Sequence, residues 1–109
     1  MFYKRDISNY VKALDGVTYK TLSYGSKTLL SEFILEKGSK VPIHNHPYEQ
    51  TGYMISGRMT FTVNGKSYNA EPGDSWCIPE NVEHGVEVLE DSLVIEVFSP
   101  VRKDYLPKK

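Results

Sequence analysis

Cysteine and histidine are scarce in this chain, with one cysteine and three histidines among 109 residues. The lone thiol, Cys77, excludes an internal disulfide, which agrees with a reducing compartment. Basic runs are missing apart from the closing Pro-Lys-Lys, and the formal net charge is −1. Nucleic acid is therefore a poor match as a partner. Apolar runs extend only a few residues, far short of a membrane span. The opening "MFYKRDISNYVKALDG" has no apolar stretch of the secretory kind, so the protein is expected in the cytoplasm. No internal repeat, linker or low-complexity tract breaks the chain, and a single domain over residues 1–109 is expected. A chain of this length can bury about 60–70% of its unfolded surface. Its 39% hydrophobic and 25% charged residues are ordinary for a globular protein.

Helical periodicity is nearly absent too. Ile7, Tyr10, Val11 and Leu14 fall at helical spacing, with Asp6 or Ser8 as a possible cap and Gly16 as a stop. A short N-terminal helix is one expectation for this segment and an early strand is its rival. After Gly16 come short segments, most of them rich in β-branched or aromatic residues, such as "TLLSEFILEKG", "RMTFTVNGKSYNA" and "SLVIEVFSP". Asn64-Gly65 is a strong hairpin signal. Turn signals recur about every 8–12 residues, the spacing of an all-β sandwich or barrel. The tail "VRKDYLPKK" is expected to wrap the surface.

Against this background the stretch "VPIHNHPYEQ" stands out. Residues i and i+2 of a strand share a face, so His44 and His46 project together from an extended segment bracketed by Pro42 and Pro47. Two imidazoles placed this way form a chelating pair, and two surface histidines are the plainer alternative.

The wider spacing resembles the cupin superfamily. Gly38 is followed by five residues, His44, one residue, His46, three residues, Gln50, six residues and Gly57, which is similar to the first cupin motif (38–57). Gln50 stands where that motif usually has glutamate. Gly73 is followed by five residues, Pro79, one residue, Asn81, two residues and His84, which is similar to the second motif (73–88). Asn81 replaces a glycine there and Val88 replaces the closing asparagine. Fifteen residues, Arg58 to Pro72, separate the two motifs. All three histidines fall on positions where the family binds metal. The resemblance implies an all-β jelly-roll barrel, the double-stranded β-helix. Its metal ligands would be His44, His46, Gln50 and His84. Asn tolerates left-handed backbone, so Asn81 is compatible with the turn.

Three imidazoles and a neutral amide oxygen would hold one divalent transition metal, Ni, Zn, Fe, Mn or Cu, and leave positions open. A neutral Gln50 preserves more of the metal's charge than glutamate would and favours Lewis-acid work over oxygen chemistry. Gln50 could also serve only as a hydrogen-bonding residue at the barrel mouth.

A second unusual stretch is "SLVIEVFSPVRKDYL". Val94, Glu96 and Phe98 share one face of a strand, while Leu93, Ile95 and Val97 share the other. Glu96 is the single polar group in a run that reads as buried on both sides. A carboxylate there needs a partner, a wet cavity or a raised pKa, and the last two suit acid–base chemistry. An exposed edge or a lysine partner is the alternative. Arg102 follows the break at Ser99-Pro100, where a guanidinium could clamp a substrate carboxylate. Phe98 could pack against a substrate ring or lie in the core.

"HNHPYEQTGYMISG", "GDSWCIPENVEHG" and "FSPVRKDYL" together look like the KdgF family, small cupins of pectin and alginate breakdown. That resemblance implies ring-opening, ketonising isomerisation of a 4,5-unsaturated uronate. It implies His44, His46, Gln50 and His84 as metal ligands, with catalytic roles for Glu96 and Arg102 and substrate contact for Phe98 and Arg102. The family has aspartate where this chain has Glu96, one methylene longer, which changes the acid's reach. Two other readings stand beside it. One is a metal-dependent dioxygenase or other small-molecule cupin enzyme, and the other is a non-catalytic ligand-binding cupin. An anionic small molecule and a homodimer formed through open strand edges are the expected partners. Tyr53, Met54 and Trp76 could line a pocket but are expected mainly in the core, as is Cys77. Tyr48 and Glu49 are expected either behind the metal ligands or in solvent.

Overall fold

Burial alternates strictly along the start of a long central segment: Gln50, Gly52 and Met54 are buried while Thr51, Tyr53 and Ile55 are exposed. That two-residue period is the pleat of a strand with one face on a core. The computed structural model, which describes residues 1–107, contains eight strands. They are β1 (Val11–Leu14), β2 (Val17–Tyr24), β3 (Leu29–Leu35), β4 (Lys40–His44), β5 (Glu49–Val63), β6 (Lys66–Ala70), β7 (Ser75–Ile78) and β8 (His84–Ser99). A single 3-10 turn spans Lys103–Tyr105.

Two long strands organise the molecule. β8 pairs with β4 through its first half and with β3 through its second, and β5 runs antiparallel along both halves. β5 in turn carries β7 beside its first half and β6 beside its second. β2 pairs with β3, and β1 forms the outer edge. The result is the jelly-roll arrangement, with β5 and β8 crossing from one half to the other. Their crossing point is a series of register shifts between Met54 and Met59. Gly57 sits there at φ +95°, and a Cβ on it would lie 2.2 Å from Ser92 Oγ. Only glycine fits both that backbone and that approach. Between the halves lies a core of Val17, Leu35, Met54, Met59, Phe61, Ala70, Ile78, Val88 and Val94.

The Asn64-Gly65 hairpin joins β5 to β6, with Val63 and Lys66 as the closing pair and both turn residues at positive φ. Asn81 also adopts positive φ, 65°, so the asparagine makes the turn that glycine makes in the motif. Val88 is a core residue at 2% exposure, and apolar packing occupies the closing position of the second motif.

One open alternative is decided and two expectations, for Cys77 and Tyr53, change. Of the N-terminal alternatives the strand holds: β1 begins at Val11 and the preceding ten residues form no helix. Ile7, Tyr10, Val11 and Leu14 are all exposed, so no surface exists on which a short amphipathic helix could bury its stripe. Asp6 instead accepts the Ser8 N–H in a local turn. Cys77 is not in the core either. It is exposed on β7, because Trp76 and Ile78 take the inward positions and alternation turns the thiol outward opposite Thr51. Tyr53 is likewise exposed, whereas Met54 is fully buried. The tail lies against the body through the half-buried Tyr105 and Leu106, and its two final lysines fall outside the described residues.

Candidate metal centre and active site

Strand register brings the three histidines together. His44 ends β4 and His84 opens β8, and the two are direct partners across that pair. His46 lies in the connection to β5, where its carbonyl accepts the Asn81 N–H at 2.8 Å. The turn of the second motif therefore fastens the loop of the first. Ring centroids are 4.4 Å apart for His44–His84, 4.8 Å for His46–His84 and 5.5 Å for His44–His46. One nitrogen from each imidazole lies within 4.8 Å of the others, close enough for one ion.

Hydrogen bonds set the tautomers of two rings. His44 Nδ1 is 2.8 Å from the Pro42 carbonyl and His84 Nδ1 is 2.9 Å from that of Val82. A carbonyl accepts only, so each Nδ1 carries the proton and each Nε2 presents a lone pair. His84 Nε2 is buried with no partner among the described residues, and so is His46 Nδ1. Burial pulls the His84 pKa down to about 4, with its Val82 bond opposing and the charges of His44, His46 and Arg102 adding. Burial, with Arg102 next, lowers that of His46. Both rings are therefore neutral near pH 7, the form that binds metal.

Gln50, second in β5, completes the set. Its Oε1 is 3.0 Å from His46 Nε2. Two ligands at about 2.1 Å from an ion and at right angles are about 3 Å apart, so the same spacing serves a shared metal. The donors fit a divalent ion of the imidazole-preferring group on this geometry and on the orphaned His84 nitrogen.

A cavity of about 380 Å³ opens beside these residues. Glu96 faces it from β8 and is 3% exposed. Burial pushes its pKa up to about 8, and hydrogen bonds from Gln50 and Trp76 restrain the rise. Ser31 Oγ donates to the Glu96 carbonyl at 3.0 Å and pins the strand at that point. Phe98 packs edge-on to His46, 5.8 Å between centroids, and is buried at the cavity wall.

Arg102 also lines the cavity. Its guanidinium carbon is 3.9 Å from the Tyr105 ring centre, 4.9 Å from that of Phe98 and 5.5 Å from that of Tyr48. Its Nε–H donates to Asp104 at 3.2 Å. Tyr105 is itself stacked on Tyr19, with centroids 4.1 Å apart. Burial raises the Tyr105 pKa to about 12, so the phenol stays neutral. An aromatic cage and one carboxylate thus fix the guanidinium at the cavity wall.

Every residue named from sequence as ligand, acid or anion clamp lies on this one cavity. Sequence reading missed Tyr105, Asp104, Ser31 and Gly52; Trp76, weighed as pocket lining or core, packs against the core and also reaches Glu96. Tyr105 had a signal: positions three apart eclipse in a 3-10 turn, which sets it on the side of Arg102. Tyr48 lies 5.7 Å from the His46 ring, whereas Glu49 points outward and accepts the Cys77 thiol.

Comparison with known proteins agrees with this geometry. The chain is 29% identical over 94 residues to the pectin degradation protein KdgF of Dickeya dadantii, covering 84% of this chain and 86% of that one. The structure of KdgF from Halomonas sp. superposes with a TM-score of 0.90 at 28% identity, covering 97% of this chain and 98% of the other. A shorter match, 30% identity over 59 residues, reaches acireductone dioxygenase of Bacillus cytotoxicus, covering 50% of this chain and 35% of that protein. Residues 31–99, running from Ser31 behind Glu96 through both histidine motifs to the end of β8, match the cupin domain model, and the chain belongs to the cupin family.

Proposed function

We propose that this cupin is a metal-dependent isomerase that opens and ketonises a 4,5-unsaturated uronate. The observation that carries the reading is the juxtaposition of Glu96 with the histidine cluster: a carboxyl group 3% exposed in a cavity wall, one amide away from three imidazoles. His44, His46, His84 and Gln50 would hold one divalent transition metal. When bound, such an ion supplies Lewis-acid polarisation of an oxygen on the sugar acid.

The chain's own residues supply binding and proton movement. Arg102, caged and partly neutralised by Asp104, receives the substrate carboxylate. Phe98, in the cavity wall, would pack against the sugar ring and help exclude water. Ring opening breaks the bond between the ring oxygen and the anomeric carbon, and the anomeric hydroxyl loses its proton as the aldehyde forms. The released enolate gains that proton at carbon 4 and becomes the ketone. Atoms balance without an oxidant, so one group that both accepts and returns a proton is enough. Glu96 is suited to that task because its pKa of about 8 lets it hold either state near neutral pH. Kinship with KdgF proteins supports the substrate class.

The test is the loss of ultraviolet absorbance of a 4,5-unsaturated galacturonate with purified, metal-loaded protein, with and without chelator. Chelator-sensitive loss that Glu96→Gln abolishes is expected. Full turnover by Glu96→Gln would remove Glu96 from the mechanism. A second reading, oxygen chemistry at the same cluster, draws on the acireductone dioxygenase relative. Substrate-dependent dioxygen uptake would favour it.

A further inference from the structure

We propose that Trp76 is a positioning residue whose indole N–H, passing over Gly52, fixes the Glu96 carboxylate so that one acceptor faces the cavity. This rests on the reading of Glu96 as the proton carrier. Trp76 lies on β7 and Glu96 on β8, with β5 between them. Residues so placed are two strand spacings apart, roughly 10 Å, and do not normally touch. Here they do: the indole nitrogen is 3.1 Å from one Glu96 oxygen and 3.3 Å from the other.

The contact exists because Gly52, the β5 residue paired with both, has no side chain. A Cβ at Gly52 would lie 2.1 Å from Trp76 Nε1 and 2.6 Å from Glu96 Oε2, inside the space the hydrogen bond uses. The register Trp76–Gly52–Glu96 is therefore one device spread over three strands.

The bond also determines which way the acid points. An ionised carboxylate offers about four acceptor sites. One N–H nearly equidistant from both oxygens sits between them and engages the inner pair. Gln50 occupies another acceptor from the metal side. The acceptor left over belongs to a side chain that lines the cavity. Two donors on different strands thus leave the carboxylate a single orientation, and its one unoccupied acceptor is aimed where substrate would lie.

The chain has one tryptophan, so isotope-labelled protein gives one indole N–H signal that needs no assignment. In wild-type protein that signal is expected downfield and slow to exchange, and Glu96→Gln moves it upfield. Trp76→Phe in the metal-loaded protein is expected to lower kcat about 10- to 100-fold and leave KM within about 3-fold, the cost of loosening a supporting contact. Trp76→His, which restores a ring N–H, recovers part of the loss. An indole signal indifferent to Glu96→Gln, or a wild-type kcat in Trp76→Phe, overturns the inference. Wild-type protein inactive on the uronate would instead remove the functional reading, and the indole signal alone would then decide whether Trp76 holds Glu96.

Discussion

His44 and His84 are direct partners across the antiparallel pair of β4 and β8, and their rings lie 4.4 Å apart. Each donates its Nδ1 proton to a carbonyl two residues before it, so both turn Nε2 the same way. Sheet pairing thus sets the distance between the two donors and local backbone sets their direction. The third donor, His46, is fastened to the second motif through Asn81. A cluster built in this way is pre-organised, and an ion entering it has little ordering cost to overcome.

Metal addition is therefore expected to stabilise the protein. At about 100 times the dissociation constant, Ni or Zn should raise stability by about 2.7 kcal/mol, read as an upward shift in Tm. His84→Leu should abolish that shift. Metal-free His84→Leu should lie within about 1 kcal/mol of wild type, because the Nδ1 bond to Val82 is lost while the buried, partnerless Nε2 is relieved. A metal-induced shift of wild-type size in the variant would take His84 out of the site.

Gly57 offers a test of the fold alone. Its φ is +95° and a Cβ there would meet Ser92 Oγ at 2.2 Å, so any side chain forces the crossing of β5 and β8 to move. Gly57→Ala should cost roughly 3 kcal/mol, in the range for a strained backbone combined with a core clash. Gly25→Ala, where no atom lies within 4 Å, is the control and should be near neutral. Equal urea midpoints for the two variants would contradict this account of the crossing.

How much of this was legible in the sequence depends on how local the signal is. The strands of the barrel, the Asn64-Gly65 hairpin and the histidine motifs are written in spacing and alternation, which act over a few residues. Glu96 was legible because a carboxylate among Val94, Ile95, Val97 and Phe98 is costly wherever the strand lies. Cys77 was misplaced because alternation fixes which residues share a face, not which face is inward. Trp76, Gly52 and Glu96 meet only through the pairing of β7, β5 and β8, and nothing near any one of them announces the other two. The Arg102 cage is hidden in the same way: Tyr19, on β2, supports Tyr105 from the far end of the chain.

Arg102 should act on binding rather than on the chemical step. Lysine keeps the charge but lacks the planar fork and the stacking on Tyr105, so Arg102→Lys is expected to raise KM for an anionic substrate about 10-fold or more. Its kcat should change little. A lowered kcat at unchanged KM would show that the guanidinium contributes after binding instead. Binding of the substrate carboxylate would then have to be sought elsewhere on the cavity.

The last expectation concerns pH and the metal-free protein. Glu96 has a folded pKa of about 8 against 4.5 for the exposed acid. Between these values the folded state holds a proton that the unfolded state has released, so stability falls as pH rises through that window. His84 acts in the opposite sense. Its folded pKa is about 4 against 6.5, so between those values the unfolded state binds the extra proton and stability rises with pH. His46, also lowered, adds to the rise. From about pH 4.5 to 6.5 the two effects oppose each other, and from 6.5 to 8 Glu96 acts alone. A full proton difference is worth about 1.4 kcal/mol per pH unit, so about 2 kcal/mol should be lost across that upper interval. Chelator-treated wild-type protein should show this as a falling Tm above about pH 6.5. Glu96→Gln, with nothing to ionise at that position, should hold its Tm level over the same range. Parallel declines in the two proteins would mean that Glu96 ionises normally in the folded chain, and that the cavity wall is wetter at Glu96 than its burial implies.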